Sequence, residues 1–316
     1  MDKIKLGISS CLTGEKVRYD GQHKLDHYLM DILGKYVEYV PVCPEVECGM
    51  SVPREAMRLV GDPASPRLMT IRSGIDKTAM MNEWIARKLD ELAAAGLCGF
   101  VFKSRSPSSG MAGVKVYARQ EGGAIRRGSG LFAAAFMARF PLLPVEDEGR
   151  LNDDKLRENF IERIYAFARW REFERHGASV NGLMDFHARH KLLLMARRPV
   201  AVSELGRIIA GVRSAGLAEA MARYFPEFMR IMALMATVKK NVNVLEHILG
   251  YFKKDLTSDE KAEMQEVIDR YHRELIPLIV PVTLFNHLVR KCNKEYLREQ
   301  YYLHPHPDEL RLRNHV

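Results

Sequence analysis

The stretch KIKLGISSCLTGEKVRYDG (residues 3–21) decides the fold, because the apolar run Ile4–Ser9 ends abruptly at a serine, a cysteine and then a glycine. A run of that length, bounded by turn residues, reads as a strand buried on both faces of a parallel sheet. VEYVPV (37–42) repeats the pattern ahead of CPEVECGMSVPRE (43–55), and CGFVFKS (98–104) repeats it ahead of RSPSSG (105–110). KTAMMNEWIARKLDELAAAG (77–96) and GLFAAAFMARF (130–140) carry helical spacing between and after these runs. Alternating strands and helices predict an α/β domain with a mostly parallel sheet. In such sheets the loops leaving the carboxyl ends of the strands form the binding crevice. The three loops are therefore expected to meet in one pocket.

Those loops are rich in reactive groups. The first holds Cys11, the second Cys43, Glu45 and Cys48, and the third Lys103, Ser104, Arg105, Ser106 and Ser109. A single cysteine proves little, since cysteine is often buried and inert. Three of them in two loops, beside Pro and Gly, point to metal ligation. Cys98 opens a strand and reads as core, and Cys292 in VRKCNKEY reads as an ordinary helix cysteine. An odd total of five cysteines, a long chain and a start without a signal sequence argue against a disulfide framework and for a reducing, cytoplasmic compartment. The C-x4-C spacing of Cys43 and Cys48, with Cys11 distant and His23 after it, is not that of a structural zinc site. Neither G-x-G-x-x-G nor a P-loop occurs, so a nucleotide cofactor has no support. No apolar run is long enough to cross a bilayer. In IRRGSGLFAAAF (125–136), Arg126 and Arg127 precede a glycine-bounded helix start whose backbone N–H groups can hold an anion.

The segment LLPVEDEGRLNDD (142–154) lacks apolar periodicity and marks a boundary, placing one domain over 1–148 and another over 149–316. Beyond it strand signals almost vanish. KLRENFIERIYAFARWREFERHG (155–177) spaces Phe160, Ile164, Phe167 and Trp170/Arg171 as a helix does, and NGLMDFHARHKLLLMARR (181–198) follows. The pattern continues over 217–239, 242–254 and 258–274, with FMRIMALMATV (228–238) as helix core, so the second domain is expected to be all-α.

Formal net charge is +8 and the sequence pI about 9.2, an excess that favours a polyanionic partner. It is shared: 21 Lys+Arg face 18 Asp+Glu over residues 1–150, and 27 face 22 afterwards. HARHKLLLMARR offers His187, Arg189, His190, Lys191, Arg197 and Arg198; GYFKKDL offers Tyr251, Phe252, Lys253 and Lys254. Either segment suits RNA contact, although basic helix faces are commonly just solvated. For His187 and His190 a metal role has less support than a place in the core.

SSCLTGEKVRYDG, VCPEVECG…PRE and KSRSPSSG together resemble the TudS-like desulfidase domain, over about residues 1 to 145. The resemblance implies removal of sulfur from thiolated uracils at a [4Fe-4S] cluster bound by three cysteines, with one iron open. Small members of that family read SPSCG where this chain has SPSSG. An oxygen donor at Ser109 is a poor substitute for thiolate, so Cys48, where small members carry glycine, is the expected third ligand beside Cys11 and Cys43. The resemblance assigns catalytic roles to Glu45 and Ser106. Lys103, Ser104, Arg105, Ser109, Arg126 and Arg127 are the candidate substrate contacts. GLMDFHARHKLLLMA and NVLEHILGYFKKDLTSDEK resemble the YbgA-like domain, over about 152–316. Chains joining both parts resemble tRNA 4-thiouridine desulfidases, which implies non-redox conversion to uridine with release of sulfide and tRNA as partner. The alternatives are a desulfidase of free thiouracil or thiouridine, and a cluster-bearing RNA-binding or redox-sensing protein without catalysis.

Overall fold

The computed structural model describes residues 3–118 and 124–315, and the side chains of Ala124, Ile125 and Arg126 lie outside the described residues. Its contacts divide the chain into two compact units, residues 1–153 and 154–316.

In the first unit, β1 (Ile4–Ser9), β2 (Val37–Val42), β5 (Phe100–Phe102) and β8 (Val145–Asp147) form one sheet in the order β2-β1-β5-β8. Every pairing in it is parallel, with Ser9 opposite Val42 and Ile8 opposite Val101. The reading of an α/β domain with a parallel sheet holds. Leu6, Ile8, Phe100, Val101 and Phe102 are fully buried, which is why these strands read as unbroken apolar runs. Gly7 is dictated by packing: a Cβ there would lie 2.2 Å from the Phe100 ring. That ring in turn stacks on Phe102 and packs edge-on against Phe132. α1 (Pro44–Glu47), α2 (Thr78–Ala94) and α3 (Leu131–Arg139) are the unit's α-helices among the described residues.

A second sheet was not expected from the sequence. β3 (Met57–Val60), β4 (Arg67–Thr70), β6 (Val114–Tyr117) and β7 (Ala124–Gly128) pair in the order β4-β3-β6-β7, antiparallel except for β3 with β6.

The second unit is helical, as expected: α4 (Asp154–Arg175), α5 (Val180–Arg197), α6 (Ala201–Ala210), α7 (Val212–Ala215), α8 (Leu217–Met232), α9 (Val238–Gly250), α10 (Ser258–His272), α11 (Ile279–Lys291) and α12 (Glu295–Arg298). Trp170 lies flat against Tyr224 and Phe225, with centroids 5.8 and 4.6 Å away, at the centre of an aromatic core. The stretch 217–239 is broken: α8 stops at Met232, leaving Leu234 and Met235 exposed, and Thr237 caps α9 by accepting from the Lys240 N–H. FMRIMALMATV is thus core only as far as Met232. No helix among the described residues is long and apolar enough to cross a membrane.

Candidate functional site

The three parallel strands β1, β2 and β5 end side by side, and their loops surround a cleft of about 550 Å³. Cys11 comes from a 3-10 turn, Ser10–Thr13, that β1 enters directly; Thr13 Oγ1 donates to the Ser10 carbonyl at 2.8 Å and closes it. Cys43 sits at the N-terminal cap of α1, where Pro44 presets the first helical dihedral. The Cys43 N–H donates to the Glu47 carboxylate at 2.8 Å, and Lys88 holds Glu47 at 2.9 Å. This short turn carries Glu45 into the cleft.

The loop after β5 is pinned from two sides. Lys103 N–H donates to Ser9 Oγ at 2.9 Å, tying it to β1. Glu148 then takes three donors, the Lys103 ammonium, the Ser104 N–H and the Ser104 hydroxyl, the last two at 2.7 Å. Further along, the first N–H groups of α3 are spent on the same loop. Gly130, Leu131 and Ala133 donate to the carbonyls of Gly110, Pro107 and Ser108. Gly130 permits this contact, since a Cβ there would lie 2.4 Å from the Ser108 oxygen. The expected anion site at this helix start is therefore absent among the described residues: its donors hold the serine loop instead. Arg127 is exposed on β7 and does not line the cleft, and the side chain of Arg126 lies outside the described residues.

Within the cleft, Glu45 is the hub. Its Oε1 accepts from Ser108 Oγ at 2.5 Å, and its Oε2 lies 3.7 Å from Cys43 Sγ and 3.8 Å from Arg54 Nη2. Ser106 Oγ lies 3.0 Å from Ser108 Oγ and accepts the Ser109 N–H at 3.1 Å. Ser106, Ser108 and Glu45 form a chain along which a proton can pass. Ser108, fully buried, was missed by sequence reasoning although it stands between two serines that were singled out. Arg18, Lys24 and Arg54 also line the cleft with Lys103 and Arg105, and were missed too, though Arg18 and Arg54 fall inside the motifs quoted above. Glu148 had no signal beyond an acidic run.

Cys11, Cys43, Glu45, Lys103, Ser104, Arg105, Ser106 and Ser109 are all brought together there. Cys48 is not. It caps the C-terminus of α1, half-buried, and its thiol donates to the Glu45 carbonyl at 3.2 Å. Burial pushes the Cys11 thiol up to about 11, which Lys103 offsets only in part, and pushes Cys43 up to about 12, with Glu45 adding to it. Both are thiols at neutral pH, so a metal must displace their protons. As soft donors facing one cleft, Cys11 and Cys43 suit an iron–sulfur cluster. No third thiol lines the cleft among the described residues, and Ser109 brings a hydroxyl to it. Among the described residues no group of three His, Cys, Asp or Glu is arranged to hold a metal ion.

In the second unit the two basic segments separate. His187, His190 and Arg197 are buried. Arg197 and Arg313 both pair with the buried Glu162. Burial alone would raise the Glu162 carboxyl, and the two guanidinium groups hold it below its usual range. Most of HARHKLLLMARR is thus interior. In GYFKKDL, Phe252 is core, whereas Tyr251, Lys253 and Lys254 are exposed, and Tyr251 stacks on Tyr296 at 5.4 Å.

Comparison with known proteins divides at the same place. Residues 6–148 match the family model described as 2-thiouracil desulfurase, and residues 191–307 match that described as a protein of unknown function, DUF1722. The chain is 26% identical over 165 residues to the uncharacterized protein YbgA of Escherichia coli (strain K12), covering 52% of this chain and 98% of that protein. It is 30% identical over 108 residues to the uncharacterized protein YbbK of Bacillus subtilis (strain 168), covering 33% of this chain and 71% of that one. Among solved structures, one described as the [4Fe-4S]-dependent thiouracil desulfidase TudS is similar at 32% identity and a TM-score of 0.40, over 48% of this chain and 95% of its own.

Proposed function

Since the first unit belongs to the 2-thiouracil desulfurase family, we propose that the chain replaces the sulfur of a thiolated uracil with the oxygen of water, and that its substrate is 4-thiouridine within tRNA. The observation that carries this reading is the Glu45 carboxylate, 3.7 Å from Cys43 Sγ and hydrogen-bonded by Ser108, in the cleft that also holds Cys11. The reaction balances without electron transfer: water adds to the thiocarbonyl carbon, a C–O bond forms, the C–S bond breaks, the oxygen stays on the base, and both protons of the water leave with the sulfur, as hydrogen sulfide or as hydrosulfide and a proton released to solvent. Cys11 and Cys43 would be two of the thiolates holding an iron–sulfur cluster, and such a cluster would supply a soft Lewis acid for the thiocarbonyl sulfur.

The protein's own groups do the rest. Glu45 takes the proton from the attacking water, and Ser108 and Ser106 extend its reach toward the base. Ser106, at the far end of that chain, hydrogen-bonds the pyrimidine. Lys103, Arg105, Arg18, Lys24 and Arg54 surround the two thiols with positive charge, against Glu45 and a Glu55 whose carboxylate is taken up by Ser73. That field favours the anionic charge developing on oxygen and sulfur, and the phosphates of a polynucleotide. A splayed-out, unstacked nucleotide costs a few kcal/mol to present, which phosphate contacts from exposed lysines such as Lys253 and Lys254 offset.

The test is anaerobic incubation of the full, iron-loaded chain with tRNA carrying 4-thiouridine. Sulfide and uridine should appear in equal amounts. No sulfide from tRNA, with turnover of free thiouracil, would transfer the activity to the free base; sulfide from neither would refute the reading.

A further inference from the structure

We infer that Arg54 is the hydrogen-bond donor that holds the attacking oxygen of the water beside Glu45 and stabilises the negative charge that oxygen gains. This rests on the desulfidase reading above, and it adds a second side chain to the step in which Glu45 takes the proton.

Five cations line the cleft among the described residues, and they differ in what already holds them. The Lys103 ammonium is taken by Glu148 and by the carbonyl and hydroxyl of Ser104. Arg18 lies 3.5 Å from Asp20, which balances its charge, and its guanidinium sits over the Tyr19 ring. Lys24 and Arg105 are exposed, where water satisfies them. Arg54 differs from all four. Its side chain is 9% exposed, yet among the described residues its guanidinium makes a single hydrogen bond, from Nη1 to the Ser51 carbonyl at 3.4 Å, and its buried Nε has no partner. A guanidinium carries several N–H donors, and leaving most of them unmade away from water is unfavourable. An anionic oxygen arriving in the cleft would meet that need with a charge-assisted hydrogen bond.

Position selects which oxygen. Arg54 Nη2 lies 3.8 Å from Glu45 Oε2, too far for a hydrogen bond and near enough for one oxygen atom to touch both groups. Glu45 Oε1 is taken by the Ser108 hydroxyl, so Oε2, near Arg54 and Cys43, is the oxygen left for water. Water held between Oε2 and Nη2 gives a proton to the carboxylate as its oxygen bonds to the thiocarbonyl carbon and the C=S electron pair moves onto sulfur. Glu45 then passes that proton to the departing sulfur. The guanidinium gives up no proton; it holds the oxygen while charge develops on it. The main chain sets this arrangement without the side chain's help. Arg54 N–H donates to the Tyr19 carbonyl at 2.8 Å, tying the segment after α1 to the loop after β1, so a substitution at Arg54 leaves the loop in place.

The experiment follows single-turnover sulfide release from tRNA carrying 4-thiouridine by the full, iron-loaded chain, with tRNA affinity, iron content, the EPR signal of the reduced cluster and a thermal melt for each variant. Arg54→Ala should release sulfide roughly 10²–10³-fold more slowly, the loss expected for one donor to a developing oxyanion, with affinity, iron and EPR signal at wild-type values. Added guanidinium ion, below the concentration that unfolds the chain, should restore part of that rate. Arg54→Met fills the same buried space; it should show the same loss without the rescue, and it decides the matter if the alanine variant folds poorly. A wild-type rate in either variant overturns the assignment. So does a slow variant that has lost its iron, because Arg54 would then support the metal site, and so does a folded, iron-loaded Arg54→Ala that guanidinium does not rescue. A wild type that releases no sulfide overturns the desulfidase reading itself, and that control tells the two failures apart.

Discussion

Glu45→Gln is the substitution that separates proton transfer from everything else in the cleft. The amide has the size of the carboxylate, and its oxygen can still accept from Ser108, which donates at 2.5 Å. What is lost is the charge opposite Arg54 at 3.8 Å and the ability to take a proton. Glu45 and Arg54 side chains are 13% and 9% exposed, so solvent screens the pair little, but at 3.8 Å it is longer than a hydrogen bond, and its loss should cost about 1 kcal/mol of stability. Proton transfer by a positioned side chain contributes roughly 10²–10⁴-fold to rate, or about 3–5 kcal/mol of barrier. Sulfide release from thiolated tRNA should therefore fall by at least about 100-fold, while the melting temperature, the iron content and the affinity for tRNA stay close to wild type. The informative assay is single-turnover sulfide release beside iron analysis of the same sample. Retained turnover would remove Glu45 from the chemistry. Lost iron would mean that the carboxylate holds the metal and that the proton chain has been misread.

Glu148→Gln should displace Lys103 and Ser104 together, because one carboxylate holds three of their donors; the expected result is about 2–3 kcal/mol less stability, as for a charge-assisted pair with little exposure, with turnover falling more than tRNA binding. Lys253→Glu with Lys254→Glu, both exposed in the turn that follows α9, should raise the KM for tRNA, lower the salt dependence of binding and leave turnover of free thiouracil unchanged; equal loss on both substrates would count against RNA contact there. Burial, with Lys191 adding to it, depresses the His187 imidazole to about 4, so the folded protein keeps it neutral while the unfolded chain protonates near its ordinary value. The sign follows: stability from this group is complete above about pH 6.5 and lost as pH falls toward 4. Glu158, held up to about 7 by burial and by Glu162, acts in the opposite direction, so the clean measurement is the difference between wild type and His187→Gln. The melting temperature of the variant should fall less between pH 6.5 and 5, and parallel curves would refute the assignment.

The parallel sheet and the three loops at its carboxyl end were legible because strands buried on both faces leave unbroken apolar runs, and Gly, Ser and Pro mark where they stop. The second sheet was not, for the converse reason. β3 and β4 are four residues each and carry Arg58 and Arg67 among their apolar positions, too short for an alternation to show. Within the cleft, single motifs yielded Cys11, Cys43, Glu45 and Ser106, but the bond that organises them joins Ser108 to Glu45, 63 positions apart, and no local pattern records it. The anion site expected ahead of α3 failed on the same ground, since the carbonyls that consume its N–H groups lie about twenty residues upstream.

The basic helix of the second unit makes the point in reverse. HARHKLLLMARR has the composition of a surface that grips phosphate, yet a guanidinium can be interior if a carboxylate meets it there. Arg197 finds Glu162 on α4, 35 positions earlier, and Arg313 arrives at the same carboxylate from the other end of the chain. Removing Glu162 would take from the buried Arg197 the carboxylate it pairs with and leave Arg313 only Glu158, 3.5 Å away, a penalty of the order of 3–5 kcal/mol. Composition counts charges, but it cannot say which are already neutralised. Once these are set aside, the exposed lysines and the Tyr251–Tyr296 pair become the better place to look for RNA, since an aromatic platform flanked by ammonium groups offers a base its stacking partner and a phosphate its counterion at once.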